Sequence, residues 1–197
     1  GRDMMYAFCD DYKLPFDNCG KVVVAVSIEE IPALNMLEER GKDNGLLGIK
    51  RLSASEIKEY EPHASGIDGL FVPQTGIVDY VAVTNKYADL IREKGGEIRI
   101  KSKLVSVKKD GNDLILFTGH DEYRTKFIVN CAGLQSDRIA KLFGVDPKLQ
   151  IIPFRGEYYR LKKEKEYLVK NLIYPVPDPQ FPFLGVHFTR MIKGGVE

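Results

Sequence analysis

Four short, β-prone stretches follow one another between two helix-like segments, and this crowding limits the possible folds more than any other feature of the chain. They are Glu97–Lys101, Leu104–Lys109, Leu114–Thr118 and Tyr123–Asn130. Asp110-Gly111-Asn112-Asp113 joins two of them with residues that tolerate a tight hairpin. An amphipathic helix is predicted before them, over Tyr80–Lys94, with Val83, Tyr87, Leu90 and Ile91 on one face. Tyr80 and this stripe are expected in the core. Gly95-Gly96 closes the helix as C-cap glycines do. A second helix, Leu134–Phe143, follows the strands and stops at Gly144. Antiparallel hairpins thus interrupt the alternation of helix and strand. The fold class is α+β (mixed α/β) rather than one doubly wound sheet.

The flanking regions read in the same way. Residues 1–13 have a helical pattern, and Lys21–Ser27 is a strong β candidate. Ser27 and Glu30 have capping-box spacing ahead of a helix to about Lys42, with Ile31, Leu34, Met36 and Leu37 on its inner side. Ser53-Ala54-Ser55-Glu56 caps a short helix that must end at Glu61-Pro62. Gly69–Pro73 is a short strand. Gly156–Leu161, Leu172–Tyr174 and Phe183–Thr189 are strand candidates near the end, and the charged run 162–166 reads as a solvated loop. Apolar residues make up 44% of the chain, enough for a real core, and the formal net charge is +1 with both signs interspersed. Nothing here suits a nucleic-acid surface. The run Val22–Val26 is far too short to span a bilayer. Cys9, Cys19 and Cys131 lack metal-ligand spacing, so no metal is expected; they read as reduced thiols of a cytoplasmic protein. Peripheral contact with the inner face of the cell membrane stays open.

Two segments carry chemistry. The first is Pro153-Phe154-Arg155-Gly156-Glu157-Tyr158-Tyr159, with Leu172–Pro179 and Phe183–Arg190 after it. Cations interleaved with aromatics suit a small anion in a partly dry pocket. Pro175, Pro177, Pro179 and Pro182 stiffen the connecting loop, as a pocket wall or simply as a rigid link. The second is Phe127-Ile128-Val129-Asn130-Cys131-Ala132-Gly133-Leu134-Gln135-Ser136-Asp137, an apolar strand entering a helix through small residues. Such a turn lets the backbone approach a large ligand, with a helix N-terminus facing a phosphate. Tight strand–helix packing explains it equally well.

The second segment resembles the nucleotide-contact motif of the flavin-dependent D-amino-acid-oxidase/glycerol-3-phosphate-dehydrogenase superfamily, and Gly95-Gly96-Glu97-Ile98 with Leu104-Val105-Ser106-Val107 fits the strand before it. Within that superfamily the chain resembles the L-2-hydroxyglutarate oxidases and dehydrogenases. The segments Phe16–Lys21, Val72–Val78, Pro153–Tyr159 and Ile173–Arg190 carry that resemblance. It implies part of a FAD-binding Rossmann-like domain plus a largely antiparallel β-sheet substrate domain with flanking helices. Residues 1–79 would begin the substrate domain, 80–145 would belong to the FAD domain, and 146–197 would return to the substrate sheet. The family's strand–Gly-x-Gly-x-x-Gly–helix for the FAD pyrophosphate does not occur in this sequence. Gly1 stands first in place of Met. The chain is therefore expected to be a central piece of a longer protein, lacking that region and a C-terminal part and inactive alone; a short protein with a processed start is the alternative.

The implied reaction oxidises L-2-hydroxyglutarate to 2-oxoglutarate, with FAD as hydride acceptor and oxygen or a quinone as final acceptor. The resemblance makes His187 the proton acceptor. Arg155, Tyr158, Tyr174 and Arg190 become contacts for the hydroxy-dicarboxylate, and Leu104, Cys131, Ala132 and Gly133 contacts for FAD. Plainer readings stand beside these: Arg155 paired with Glu157, a structural His187, a surface Arg190, a structural Cys131. The other open functions are a flavoenzyme for another 2-hydroxy acid, glycerol 3-phosphate or an amino acid, and a non-catalytic metabolite-binding module.

Overall fold

The computed structural model describes residues 1–178, 180 and 185–197. Pro179, Pro182, and the start of the strand expected over Phe183–Thr189 lie outside the described residues. The chain divides into two compact units, one formed by residues 1–90 with 158–197 and the other by residues 91–157.

The first unit is built on a four-stranded sheet. Its strands are β2 (Lys21–Ala25), β3 (Lys50–Ser53), β4 (Asp68–Val72) and β9 (Leu172–Pro175), in the order β3-β4-β2-β9. β2 pairs antiparallel with β4 and parallel with β9. β1 (Phe16–Asp17) and β5 (Ile77–Val78) form a separate two-stranded ladder. The valine run of β2 is buried on both faces because helices cover both. Val23 and Ala25 pack with Leu34 of α2 (Ile31–Asp43), and Val22 and Val24 pack with Ile57 of α3 (Ala54–Tyr60). Both expected capping boxes form, Ser27 with Glu30 and Ser53 with Glu56. Arg51 of β3 binds Asp68 of β4 through two parallel bonds of 2.6 and 2.7 Å, a fork that fixes the register of neighbouring strands. α1 (Arg2–Tyr12) stacks Phe8 on Tyr87 of α4 (Tyr80–Glu93), with ring centroids 4.5 Å apart. Asp79 caps α4, accepting from the amides of Val81 and Ala82 at 3.1 Å and from the Lys193 ammonium at 2.7 Å. The Lys193 ammonium, then these amides, hold its carboxyl below the usual range.

Glu61 is the fully buried acid of this unit. Its carboxylate accepts from the backbone N–H of Lys170 at 3.0 Å, from that of Asn171 at 2.5 Å and from the Asn171 side-chain amide at 2.8 Å. These bonds hold the residues just before β9, so the C-terminal end of α3 sets where β9 begins.

The second unit is a three-stranded antiparallel meander of β6 (Leu104–Asp110), β7 (Asp113–Thr118) and β8 (Glu122–Thr125). The expected hairpin closes with Asp110 opposite Asp113, and Gly111 takes a positive φ of 60°. A 3-10 turn over Gly133–Gln135 leads into α5 (Ser136–Leu142).

The structure corrects several expectations. Glu97–Lys101 and Gly156–Leu161 are not strands, and the strand expected to reach Asn130 ends at Thr125. Among the described residues of Phe183–Thr189, only Phe188 makes a ladder contact, opposite Ile173. Apolar composition permits a strand, but only a partner backbone creates one. Residues 127–130 show this, with Phe127 86% and Val129 83% exposed. Met36, Tyr80, Tyr87 and Ile91 face solvent instead of the core, while Val83 is buried as expected. The charged run 162–166 is mostly a 3-10 turn, Lys163–Leu168, instead of an irregular loop.

Removing the Glu61 carboxylate leaves buried donors without an acceptor. Glu61→Ala is expected to destabilise the protein by about 3 kcal/mol, and Glu61→Gln by about half as much. Urea unfolding of the two variants and the parent checks both the size and the order. A second expectation concerns acid. The Ser53 amide, followed by the Lys50 ammonium and the Ser53 hydroxyl, holds the Glu56 carboxyl down at about 2, against an ordinary 4.5. A carboxyl depressed by folding stabilises the fold above its unfolded value and loses that contribution as pH falls toward its folded one. Urea midpoints of Glu56→Gln should therefore lie below the parent's at neutral pH and approach them as pH drops from about 4.5 toward 2. Parallel curves would contradict it.

Candidate functional site

In the first unit, strand register places the aromatic and basic residues. Val23 of β2 stands opposite Tyr174 of β9, and Ile173 is bridged to Phe188 by two backbone bonds of 2.9 and 3.1 Å. Side chains alternate across a sheet, so Tyr174 and His187 share one face. Their rings lie 4.8 Å apart between centroids, and Tyr158 meets His187 edge-on at 6.2 Å. Nδ1 of His187 lies 2.9 Å from the Gly185 carbonyl oxygen. A carbonyl only accepts, so Nδ1 carries the hydrogen and the neutral ring keeps its lone pair on Nε2.

Lys21, expected at a strand start and given no site role from the sequence, joins this face. Its ammonium lies over the Tyr174 ring, 5.0 Å from the centroid. Burial lowers its pKa. The available signal was its position two residues before Val23 on an alternating strand.

Arg190 is engaged elsewhere. It binds the Asp17 carboxylate, and its Nε is buried with no hydrogen-bond partner among the described residues. It lies beside Cys19, whose thiol is pushed up by burial against the opposing pull of the Arg190 guanidinium. A hollow of about 330 Å³ opens here, lined by Asp17, Glu166, Arg190 and the backbone of 194–196. A larger hollow of about 630 Å³ has chiefly apolar walls, including Val24, Ile173, Tyr174, Val186 and Phe188.

In the second unit, Leu104 is brought to one hollow of about 700 Å³ with Cys131 and Ala132, along with Ile128, Asn130 and Arg138. Asn130 holds the turn, donating from its side-chain amide to the Ser136 carbonyl at 2.8 Å and accepting from the Ala132 N–H at 3.2 Å. Gly133 has a φ of 55°, and a Cβ built there would meet nothing within 4 Å. Close packing of strand on helix does not require this glycine; the left-handed turn favours it, and the backbone there faces open space. Cys131, considered as a packed structural thiol, is exposed. The hollow's apolar walls can hold a flat ring system, with Asn130, Gln135 and Arg138 as hydrogen-bonding side chains in the lining. Arg155 is 87% exposed and 3.7 Å from Glu157. Such a solvent-exposed pair contributes little to stability, which leaves the guanidinium available for another anion. Among the described residues no group of histidines, cysteines and acids is placed to hold a metal ion. No helix among them is long and apolar enough to cross a membrane.

A family model described as FAD dependent oxidoreductase matches residues 1–196. The chain is 50% identical over 198 residues to L-2-hydroxyglutarate dehydrogenase of Indibacter alkaliphilus, an alignment that spans 100% of this chain and 50% of that protein. It is 44% identical to the protein of the same name in Escherichia coli K12, spanning 100% and 46%, and 43% identical to the mitochondrial one of Bos taurus, spanning 100% and 45%. The chain thus spans about half the length of these curated relatives. Among solved structures, glycine oxidase from Geobacillus kaustophilus superposes with a TM-score of 0.78 at 14% identity, covering 99% of this chain and 52% of that one. L-alpha-glycerophosphate oxidase from Mycoplasma pneumoniae, with FAD bound, gives 0.73 at 20% identity, covering 93% and 49%. At these identities the structural likeness establishes the fold.

The left-handed turn at Gly133 is open to a direct check. Alanine there carries a backbone penalty of about 1 kcal/mol with no steric clash, and asparagine carries less. Urea midpoints should fall in the order Gly133, Gly133→Asn, Gly133→Ala. Equal midpoints would remove the left-handed turn.

Proposed function

The chain belongs to the FAD dependent oxidoreductase family, and on that premise we propose that it is part of an enzyme that oxidises L-2-hydroxyglutarate to 2-oxoglutarate. The single observation that carries the substrate is the 50% identity, held across the whole chain, to a protein of that named activity. Bacterial and animal relatives of the same name support it.

The residues suit FAD where the chain supplies them. The open side of Gly133 and the apolar hollow of Leu104, Cys131 and Ala132 fit a flat, ring-bearing nucleotide that must approach backbone closely. Leu104, Cys131, Ala132 and Gly133 would hold it, and FAD, when bound, supplies a two-electron acceptor for hydride. The Gly-x-Gly-x-x-Gly cradle for its pyrophosphate is not in this sequence.

The chain's own residues then divide the remaining tasks. Nε2 of His187 receives the proton of the C2 hydroxyl while the C2 hydrogen leaves with its electron pair, and the C–O bond becomes a carbonyl. The Nδ1–H bond to Gly185 keeps Nε2 aimed and able to accept. Tyr174 and Tyr158 flank the imidazole, Tyr174 at 4.8 Å and Tyr158 edge-on at 6.2 Å between centroids. Arg155, in the second unit, offers an exposed guanidinium whose planar fork suits a carboxylate. Arg190, tied to Asp17, reaches a second carboxylate only by exchanging that partner. Oxygen or a quinone would be the final electron acceptor in a cytoplasmic setting, and contact with the inner face of a membrane would serve the quinone.

The whole flavin-loaded protein is expected to bleach anaerobically on addition of L-2-hydroxyglutarate. Bleaching by glycerol 3-phosphate with no response to L-2-hydroxyglutarate would overturn the reading. In the same protein Arg155→Lys should raise KM by roughly tenfold or more with a smaller change in kcat, because a point charge replaces a bidentate clamp. Unchanged kinetics would take Arg155 out of the site.

A further inference from the structure

Lys21 has no role in the function proposed above, yet its setting is unusual for a lysine. It opens β2, the central strand next to β9, and its partners in register are Val72 on one side and Leu172 on the other. Paired residues in a ladder point to the same face, so the lysine stem is flanked by apolar side chains. The ammonium ends over the Tyr174 ring at 5.0 Å, and Tyr174 in turn lies 4.8 Å from His187, centroid to centroid. Among the described residues no carboxylate pairs with it, and burial is the only influence that lowers its pKa. Solvated surface lysines and lysines in ion pairs show neither feature. A cation–π contact offsets only part of the hydration that such a group loses. A half-buried cation with no counter-ion among the described residues, beside an aromatic ring that itself adjoins an imidazole, is complementary to an anion that arrives from outside.

We propose that Lys21 is a specificity-determining residue that binds one carboxylate of a five-carbon diacid, the end remote from the carbon that His187 serves. This rests on the function proposed above for the identity of the diacid. The placement follows the order along the sheet face: His187 at one end, Tyr174 between, Lys21 at the other. A monoacid of the same length gains nothing from Lys21, so the residue distinguishes diacids from monoacids. It is not a catalytic residue, because the bonds that break lie at the histidine end.

The test uses the whole protein with its cofactor bound and measures equilibrium binding of glutarate and of pentanoate by calorimetry. These acids share a chain length and differ in the second carboxylate; neither carries the oxidisable hydroxyl. Lys21→Met keeps the stem and removes the charge. It is expected to weaken glutarate binding by about 10- to 100-fold, the range of a lost charge-assisted hydrogen bond, and to change pentanoate binding less than about threefold. Lys21→Arg, which keeps a cation on the strand, should recover part of the glutarate affinity, and it also serves if Lys21→Met folds poorly. Equal weakening of both acids would assign Lys21 to structure and overturn the proposal, as would no weakening of either or a parent protein that does not bind glutarate. A parent that binds glutarate but does not oxidise L-2-hydroxyglutarate would overturn the proposed reaction alone, and the glutarate-to-pentanoate comparison would still decide Lys21.

Discussion

A parallel strand that returns to its neighbour after more than a hundred residues has no hairpin to set its register, and here the Glu61 carboxylate fixes it. It sits at the end of α3, fully buried, and accepts the two backbone N–H groups that lead into β9, 109 and 110 residues further on. A buried carboxylate is costly in an apolar interior unless its lone pairs are met by donors. Three donors meet them, two of which are backbone groups that would otherwise need partners of their own. The interaction is therefore reciprocal: the charge needs the loop, and the loop needs the charge. Shifting β9 by one residue would break these bonds and turn Tyr174 to the other face of the sheet.

What depends on that register is the row of groups at the sheet face. Tyr174 is on β9 itself, His187 is brought beside it by the Ile173–Phe188 bridge, and Lys21 reaches it from β2. None of the three is adjacent in sequence to another. Their juxtaposition is a property of strand pairing, and strand pairing here rests on a clip at one end of β9 and on the valine core at β2. The same logic separates Arg190 from the row. It lies on the far side of the Phe188 bridge, close enough to β1 to engage Asp17.

Local rules were legible in the sequence, and non-local ones were not. Ser53 with Glu56, Ser27 with Glu30, Gly95-Gly96 after α4 and the Asp110–Asp113 hairpin each depend on a few consecutive residues, and each forms as read. The stretches 97–101 and 127–130 carry equally good β composition but pair with nothing among the described residues, because pairing depends on a second chain segment that composition does not name. Glu61 reads locally as a helix end before Pro62, and its real partners are over a hundred residues away. Met36 was placed inward with the apolar residues of its helix and Tyr80 with the apolar stripe of α4, although apolar side chains commonly stay at the surface. In the candidate site, the nearness of His187 to Tyr174 and Tyr158 was legible as a local cluster of aromatics and a histidine, whereas Arg190 binds Asp17 instead. Lys21 was not legible, because its meaning comes from Tyr174 in another strand.

That last case bears on how such a site gains selectivity. An ammonium with Val72 and Leu172 as its register partners is held at a cost in the empty protein, and the lowered pKa of Lys21 reflects that cost. A carboxylate that reaches it recovers attraction in a partly buried setting with less side-chain ordering, since the Tyr174 ring already holds the ammonium. An acid lacking that second carboxylate leaves the cation as it was. Discrimination then comes from a group unsatisfied in the wrong complex rather than from extra contacts in the right one, which is the more powerful route to specificity in a buried site. Lysine suits this better than arginine. One carboxylate at the end of a flexible diacid needs a compact charge with adjustable donors, whereas a planar fork pairs two oxygens only along a fixed approach, so an arginine here would serve less well.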